Sequence, residues 1–175
     1  MEGYCTVTME DTHSGKENKN MAIRQIREIG DDVLTKNCKE VAVMTPRIEM
    51  LIEDMFDTMY KAEGVGLAAS QVGVLRQVVV LDIGNGPITL INPKIIEQSG
   101  SQTGDEGCLS VPGKVGQVTR PEYVKVKSLN KDMKEVIVEG EGLLARCICH
   151  EIDHLTGKLY VDQVKGGLRA ASQED

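Results

Sequence analysis

Apolar residues first recur at the spacing of an amphipathic helix between about Pro46 and Glu63. Within this stretch they lie at helical intervals, at Ile48, Leu51, Ile52, Met55 and Met59. Thr45 is a suitable N-cap residue, and proline is favoured at the first helical position. Gly64 is placed to end the helix, because glycine commonly follows the last helical residue. We therefore predict a helix over these residues with one buried face.

A second helical pattern runs from about Leu143 to Thr156, and Gly157 is placed to end it. Between the two helices the pattern changes to apolar runs and alternation, which are typical of strands. The predicted strands are Gln77–Ile83, Ile88–Ile96 (broken at Asn92-Pro93), Val118–Leu129, Glu135–Val138 and, after the second helix, Lys158–Asp162.

The third and fourth strands are predicted to form an antiparallel pair joined around Asn130. The strands cluster between the helices without alternating β and α elements, which favours an α+β fold. We predict antiparallel sheets packed around the second helix, with the other helix nearer the N-terminus.

The composition restricts the domain organisation and the possible binding partners. The chain has 175 residues, 41% of them apolar, which suits one globular domain with an aliphatic core. The net charge of −7 and the lack of a basic run argue against specific nucleic-acid binding. No apolar stretch is long enough to span a membrane, so we expect no membrane association. Residues 1–20 are polar and aperiodic, and we interpret them as a leader or loose extension before a single catalytic domain at 21–175.

The second predicted helix contains the pattern H-E-x-x-H at His150, Glu151 and His154. Histidines four residues apart lie on one helix face, where both imidazoles can bind one metal ion beside a carboxylate. A tetrahedral site needs a third protein ligand. The residues after His154 include no histidine or cysteine, only carboxylates such as Asp162. Cys108 lies upstream after a glycine-rich turn and is a better candidate, although a lone cysteine is more often an inert core residue.

A third stretch, Gly64–Gln71, joins closely spaced glycines to an uncharged amide donor at its end. Taken alone it predicts only a loop after the first helix. It lacks the preceding strand and third glycine of a dinucleotide-binding motif.

Together the three stretches resemble the sequence motifs of the peptide deformylases, in the same order and with similar spacing. The matching segments are GVGLAASQ at 64–71, EGCLS at 106–110 and HEIDHLTG at 150–157, and every motif position agrees. The resemblance extends from about Met21 to Asp162. It implies a metal-dependent hydrolase that removes the N-formyl group from formylmethionyl peptides and releases formate.

The resemblance also implies a role for each motif residue. Cys108, His150 and His154 are the implied metal ligands, with Fe2+ as the native ion and Zn2+, Ni2+ or Co2+ as substitutes. Glu151 is implied as the group that moves a proton between water and the departing amine. The remaining implied roles are stabilisation of the oxyanion by the Gln71 side chain and the Leu109 backbone N–H, and pairing with the extended peptide by the Gly66 backbone.

Residues beside these motifs receive separate predictions. Glu106 is interpreted as structural, with Arg120 as its proposed partner. Asp153 is expected either to support the metal ligands from behind or to lie on the helix surface, and not to be catalytic. Arg146 is expected to be an exposed helix charge that could reach the pocket rim. Core packing is favoured for Cys147 over metal ligation, and core or solvent for Cys149. The odd count of five cysteines fits a reducing cytosol better than a disulfide framework.

Two other functions compete with the deformylase hypothesis. One is a metallopeptidase that uses the same two histidines with a downstream ligand such as Asp162 and does not need Cys108. The other is a metal-bearing structural or peptide-binding module, which would not need Glu151. For the favoured hypothesis we expect nascent formylmethionyl chains at the ribosome as substrates and the bacterial cytoplasm as the location.

Overall fold

A computed structural model of the protein describes residues 22–171, so the predicted extension at 1–20 lies outside the described residues. The helices and strands, numbered in chain order, are α1 Pro46–Lys61, β1 Gly66–Ala68, β2 Val78–Leu81, β3 Ile88–Ser99, β4 Gln102–Cys108, β5 Val111–Arg120, β6 Tyr123–Leu129, β7 Glu135–Glu141, α2 Leu143–His154 and β8 Lys165–Ala170. Short 3-10 turns lie at Asp32–Thr35, Ala69–Val72 and Tyr160–Gln163. Neither α1 nor α2 is both long and apolar enough to cross a membrane.

The strands form two antiparallel sheets, which confirms the predicted α+β class. One has five strands in the order β1-β2-β3-β6-β7, and the other has three in the order β4-β5-β8. Helix α2 contacts β1, β2 and β7 of the larger sheet and β5 of the smaller one. It therefore lies where the two sheets meet.

Strand β2 of the five-stranded sheet is buried on both faces. Its successive residues point to opposite sides of the sheet. Val79 and Leu81 pack in a core cluster with Ala145 and Ile148 of α2. The opposite face belongs to a second cluster, which contains Val78 and Val80 of β2 and Leu51, Ile52, Met55 and Met59 of α1. The predicted apolar stripe of α1 is thus its core face.

Helix α1 begins as predicted and ends slightly earlier. The Thr45 hydroxyl accepts a hydrogen bond from the Ile48 backbone N–H at 3.2 Å. After the helix, Glu63 and not Gly64 adopts the left-handed conformation, with φ of 57°. Gly64 is needed for a different reason, because a Cβ atom there would lie 2.6 Å from Cδ1 of Leu109.

The predicted break at Asn92-Pro93 is wrong, because β3 continues through it as a bulge. Asn92 has φ of 50°, and the pairing register with β6 shifts between Ile91 and Lys94. The Asn92 side chain accepts from the Val41 backbone N–H and donates to the Val41 carbonyl, each at 2.8 Å. A left-handed asparagine therefore keeps the strand continuous and fixes the loop before α1.

The predicted strand Val118–Leu129 is also wrong, because two strands in different sheets share these residues. Strand β5 ends at Arg120 in the smaller sheet, and β6 begins at Tyr123 in the larger one. Pro121 lies in the connection, where it removes a backbone donor. The hairpin of β6 and β7 around Asn130 is confirmed, with Leu129 paired to Glu135.

The end of the described chain differs from the prediction as well. Lys158–Asp162 is not a strand, since its second half belongs to the 3-10 turn that begins at Tyr160. Helix α2 ends at His154, two residues before the predicted end at Thr156. Gly157 lies in the turn that follows, with φ of 74°, and packs against the Thr35 backbone. Strand β8 was not predicted, because all its residues are exposed and it contains two glycines, so it has no apolar alternation.

Candidate metal centre

Helix α2 places His150 and His154 one turn apart on the same face. Their Nε2 atoms lie 3.3 Å apart, and the ring planes are inclined at 71°. Both side chains are buried, with 7% and 1% of their surface exposed. Two imidazoles with converging nitrogens in a dry site need either a shared proton or a shared cation.

Cys108 brings the third donor from the other sheet. It is the last residue of β4, where the pairing with β5 shifts register before the turn at Leu109 and Ser110. Its Sγ lies 3.4 Å from Nε2 of His154. One sulfur and two nitrogens are all within 4.8 Å of one another, and residues 22–171 contain no other group of this kind.

The residues present fit a divalent metal ion. Thiolate and neutral imidazole are the donors that zinc and other first-row transition metals prefer. Two buried polar atoms beside the group, Oε2 of Glu151 and Nδ1 of His154, have no hydrogen-bond partner among the described residues. Such atoms are costly in a dry interior unless a water or an ion satisfies them.

Glu106 orients the first histidine. Its Oε1 atom lies 2.5 Å from Nδ1 of His150, and Nε2 of the same ring lies 3.3 Å from Nε2 of His154. In the neutral imidazole this bond places the proton on Nδ1 and leaves Nε2 free to bind a metal ion. A carboxylate in this position fixes both the tautomer and the ring orientation of a ligand histidine. The interpretation of Glu106 as structural is therefore refined, because it acts directly on the ligand set.

Two buried arginines hold Glu106 in turn. Arg120 donates from Nε at 3.1 Å and from Nη2 at 2.6 Å, which confirms the predicted pairing. Arg146 donates at 2.8 Å to Glu106 and at 3.0 Å to the carbonyl of Val118. The prediction of an exposed Arg146 is wrong: its side chain is 8% exposed because it neutralises this carboxylate.

These contacts shift the acidity of Glu106. Burial alone would raise the pKa of its carboxyl group, but the hydrogen bonds from His150 and Arg120 outweigh burial and lower the pKa to about 2. Arg120 also donates to Asp153 at 2.6 Å. Asp153 therefore lies at the outer end of the network, as expected for a residue outside the ligand set.

Glu151 lies on the other side of the ligands. Its Oε1 is 3.9 Å from Nε2 of His150, and its side chain is 5% exposed. Burial raises the pKa of Glu151 to about 7, where a carboxylate can both accept and return a proton near neutral pH. Gly66 makes room for it, because a Cβ atom at Gly66 would lie 2.6 Å from Glu151 Oε1.

The Gln71 amide is fixed beside the same group. Its Oε1 accepts from the Ala68 backbone N–H at 2.9 Å, and its Nε2 donates to the Ser110 hydroxyl at 3.1 Å. Nε2 also lies 3.4 Å from Cys108 Sγ. Ser110 was not assigned a role from the sequence, although it belongs to the same motif as Cys108.

A cavity of about 480 Å³ opens onto these residues. It lies between β1 and β4, which are edge strands of the two sheets, and α2 forms part of its wall. The lining includes Val65, Gly66, Leu109, Leu143, Arg146, Cys147, His150 and Glu151. A substrate in this cavity can therefore reach an unpaired strand edge and the candidate metal ligands at once.

Comparison with known proteins places this geometry in a family. The model of the family described as polypeptide deformylase matches residues 23–169, which is most of the chain. The chain belongs to the polypeptide deformylase family. The family is metal-dependent, and its members hydrolyse the formyl amide of N-formylmethionyl peptides.

Two sequence relatives in this family align with the chain over nearly their whole length. The peptide deformylase of Agathobacter rectalis is 63% identical over 155 residues, which cover 89% of this chain and 98% of the relative. That of Lachnoclostridium phytofermentans is 60% identical over 158 residues, covering 89% and 97%. With this identity and coverage, the activity is removal of N-formyl groups from newly made polypeptides.

Solved structures show the same fold. The crystal structure of a peptide deformylase from Legionella pneumophila has a TM-score of 0.80 and 47% identity, and the match covers 83% of this chain and 88% of that one. The deformylase from Thermotoga maritima also has a TM-score of 0.80, with 41% identity over 82% of this chain and 99% of that one. The mixed α+β architecture is thus shared with solved deformylases.

Apart from Cys108, the cysteines within residues 22–171 are free, buried thiols. Cys147 belongs to the core cluster of α2 and also lines the cavity. Burial raises the pKa of Cys147 to about 12 and that of Cys149 to about 11, so both stay protonated at neutral pH. Neither belongs to the candidate ligand group.

Proposed function

We propose that Cys108, His150 and His154 hold a single divalent metal ion in this deformylase. The observation that supports the proposal is the convergence of one sulfur and two nitrogens within 4.8 Å in a buried site. Asp162, the ligand that a metallopeptidase would need, is outside this group, and its carboxylate faces the Leu159 N–H at 3.4 Å. The cysteine-containing site is therefore favoured over the peptidase alternative.

We propose Fe2+ as the native ion, with Zn2+, Ni2+ or Co2+ as substitutes. All four are compatible with two imidazoles and one thiolate. A bound ion supplies Lewis acidity, which makes water more acidic and polarises the formyl oxygen. The protein residues supply the proton transfer, the hydrogen bonds and the substrate position.

Glu151 is proposed as the proton-transfer residue. With a pKa of about 7, its carboxylate accepts a proton from the attacking water and returns it to the departing amine. Both steps need a buried group that exchanges protons near neutral pH. The unpartnered Oε2 atom of Glu151 is available for this exchange.

Gln71 and Leu109 are proposed to stabilise the oxyanion that forms when the formyl carbon becomes tetrahedral. The bond from the Ala68 N–H to Oε1 orients the Gln71 side chain and holds its Nε2 beside Cys108, where the oxyanion would form. The backbone N–H of Leu109 follows the candidate ligand Cys108 directly. Loss of one such donor typically lowers the rate by about 10²–10³-fold.

The Gly66 backbone is proposed to bind the peptide. Strand β1 is an edge of the larger sheet, and an extended peptide can add to such an edge through main-chain hydrogen bonds. The methionine side chain would then occupy the part of the cavity lined by Leu143 and Cys147. The proposed substrates are nascent chains at the ribosome in the bacterial cytoplasm, without specific nucleic-acid binding.

Replacement of Glu151 tests the proposal. The Glu151→Gln protein should retain its metal but release almost no formate from formyl-Met-Ala-Ser, because glutamine cannot accept the proton. Metal analysis of the same anaerobic sample checks that the site is loaded. Formate release at the original rate would exclude Glu151 as the proton-transfer residue.

Replacement of Cys108 separates the alternatives. Cys108→Ala should lose both metal and activity if the thiolate is a ligand, whereas Asp162→Asn should retain both. The opposite pattern would favour a peptidase-like site. Retention of function in both Cys108→Ala and Glu151→Gln would favour a non-enzymatic module.

A further inference from the structure

A second cavity, of about 450 Å³, lies at the opposite end of α1 from the candidate metal centre. It is lined by Arg24, Val41, Ala42, Val43, Thr45, Arg47, Ile48, Leu51, Val74 and Arg76. Thr45 and Arg47 belong to the start of α1, whereas Glu63 and Gly64 beyond its end line the first cavity. A helix of 16 residues is about 24 Å long, so the two cavities are separate sites.

The inner part of this second cavity is apolar. Val41 and Leu51 are buried members of the core cluster under α1, and Ile48 and Val74 pack against the same cluster. Val43 extends the apolar surface outward, with 66% of its area exposed. A volume of this size and an apolar interior are typical of sites for small organic molecules.

The charged groups on the lining are all positive. Arg24 is paired with Asp54 at 2.9 Å. The guanidinium groups of Arg47 and Arg76 are exposed and form no ion pair or side-chain hydrogen bond with residues 22–171. No carboxylate within residues 22–171 lines the cavity, although the chain has 27 acidic residues against 20 basic ones. Two unpaired guanidinium groups beside an apolar interior are complementary to an anion that carries an apolar group.

We propose that this cavity binds a small amphiphilic anion. A phosphate or carboxylate is held by Arg47 and Arg76, and an attached aliphatic or aromatic group lies against Val41, Leu51 and Val74. The positive end of the α1 dipole adds to the attraction for the anion. The site does not depend on the deformylase reaction, because it shares no lining residue with the first cavity.

Titration of n-octyl phosphate into ¹⁵N-labelled, zinc-loaded protein tests the proposal by chemical-shift mapping. Amide shifts are expected at residues 41–51 and 74–76. Octyl phosphate should bind at least about tenfold more tightly than inorganic phosphate, because burial of even two or three methylene groups has that effect. Octan-1-ol should also bind more weakly than octyl phosphate. A parallel titration with octanoate decides between phosphate and carboxylate as the preferred group.

Variants test whether the charges of Arg47 and Arg76 contribute to binding of octyl phosphate. The Arg47→Ala/Arg76→Ala double variant should weaken octyl phosphate binding by about tenfold, since each exposed guanidinium contributes a few-fold. The matched control is Lys36→Ala/Lys131→Ala, which removes the same charge from exposed sites elsewhere. Val43→Asp should also weaken binding, whereas Val43→Asn should change it little. All these variants should release formate normally, which shows that they are folded.

Three results would overturn the proposal. One is a set of shifts confined to residues 105–109 and 143–151, which would place the ligand at the metal centre. Another is equal affinity for octyl phosphate and inorganic phosphate, which would exclude the apolar contact. The third is unchanged affinity in the Arg47→Ala/Arg76→Ala variant.

Discussion

At the scale of single residues, Glu106 determines most of the order around the candidate metal ligands. Both of its oxygens accept two hydrogen bonds, from His150 and Arg120 at Oε1 and from Arg120 and Arg146 at Oε2. Neither arginine touches the ligand group itself. Their effect on the ligand group therefore passes through one carboxylate and one imidazole, although Arg146 also lines the cavity directly.

Glu106→Gln should lower metal affinity by about 10–100-fold, the usual cost of removing a carboxylate that orients a ligand histidine. The neutral amide still fits, but it replaces one acceptor oxygen by a donor and no longer neutralises the two arginines. Chelator competition measures the affinity, and formate release at saturating metal should recover in part. Asp105→Asn, at the adjacent exposed position, is the matched control and should leave affinity unchanged. Equal affinities for the two variants would refute this role.

Gly66→Ala should lower kcat sharply while leaving the metal bound. A methyl group at Gly66 would lie 2.6 Å from Oε1 and 2.9 Å from Cγ of Glu151, so the carboxylate must move away from His150. Gly104→Ala is the control, because its new methyl group would meet only ordinary contacts, at 3.5 Å from Arg146. Steady-state formate release measures both. A fully active Gly66→Ala enzyme would show that Glu151 needs no fixed position.

At the scale of elements, close contacts between the end of one element and the start of another set the geometry of the site. Gly64, just after α1, packs on Leu109, which follows β4. The Asn92 bulge in β3 ties the loop before α1 to the larger sheet through Val41. Both ends of α1 are therefore fixed by residues distant in sequence.

Two variants of Asn92 separate the effect of its hydrogen bonds from the effect of its backbone conformation. Asn92→Ala loses both hydrogen bonds to Val41 and forces alanine into a left-handed conformation, so unfolding free energy should fall by about 2–4 kcal/mol. Asn92→Gly loses the same bonds but tolerates the conformation, so it should be about 1 kcal/mol less destabilised. Urea denaturation measures both. An equal loss in the two variants would show that backbone conformation contributes nothing here.

At the scale of the whole molecule, the candidate active site lies where the two sheets meet on α2. The larger sheet contributes Gly66, the smaller sheet contributes Cys108 and Glu106, and the helix contributes the histidines and Glu151. The buried ion network spans the same junction, from Arg120 of β5 to Asp153 of α2. Protonation of this network should therefore affect the stability of the whole fold.

The metal-free protein should lose stability in acid. Because the pKa of Glu106 is lowered from 4.5 to about 2, its contribution to the free energy of unfolding is complete above pH 4.5. This contribution is lost as the pH falls toward 2. The loss corresponds to about 3 kcal/mol. Glu151 acts oppositely, since its raised pKa means that its contribution is complete below pH 4.5 and is lost as the pH rises through about 7.

Urea denaturation of metal-free protein between pH 2 and 8 measures both effects. Wild type should show an acid-side fall that is smaller in Glu106→Gln. Part of the fall should remain, because burial lowers the pKa of His154 to about 3 and its protonation also destabilises the fold. Glu151→Gln should lose only the change near pH 7. An unchanged acid limb in Glu106→Gln would assign the whole fall to other groups.

Short-range patterns in the sequence specify the local elements and indicate the candidate chemistry. The Thr45 cap and apolar stripe of α1, the turn at Gly157 after α2 and the turn at Asn130 are encoded within a few residues each. Periodicity and turn preferences act over that distance, so these elements could be predicted. The three motifs likewise indicated the donor residues and the family.

Long-range contacts determine which charged residues are paired and which side chains are buried. The division of 118–129 between two sheets, the bulge at Asn92 and the ion pairs of Arg146 all depend on contacts far away in sequence. Arg146 lies 40 positions from Glu106, and its charge predicts exposure until that carboxylate is placed beside it. A local pattern specifies which face of an element is apolar. Only the packing of the whole chain determines which residues contact each face.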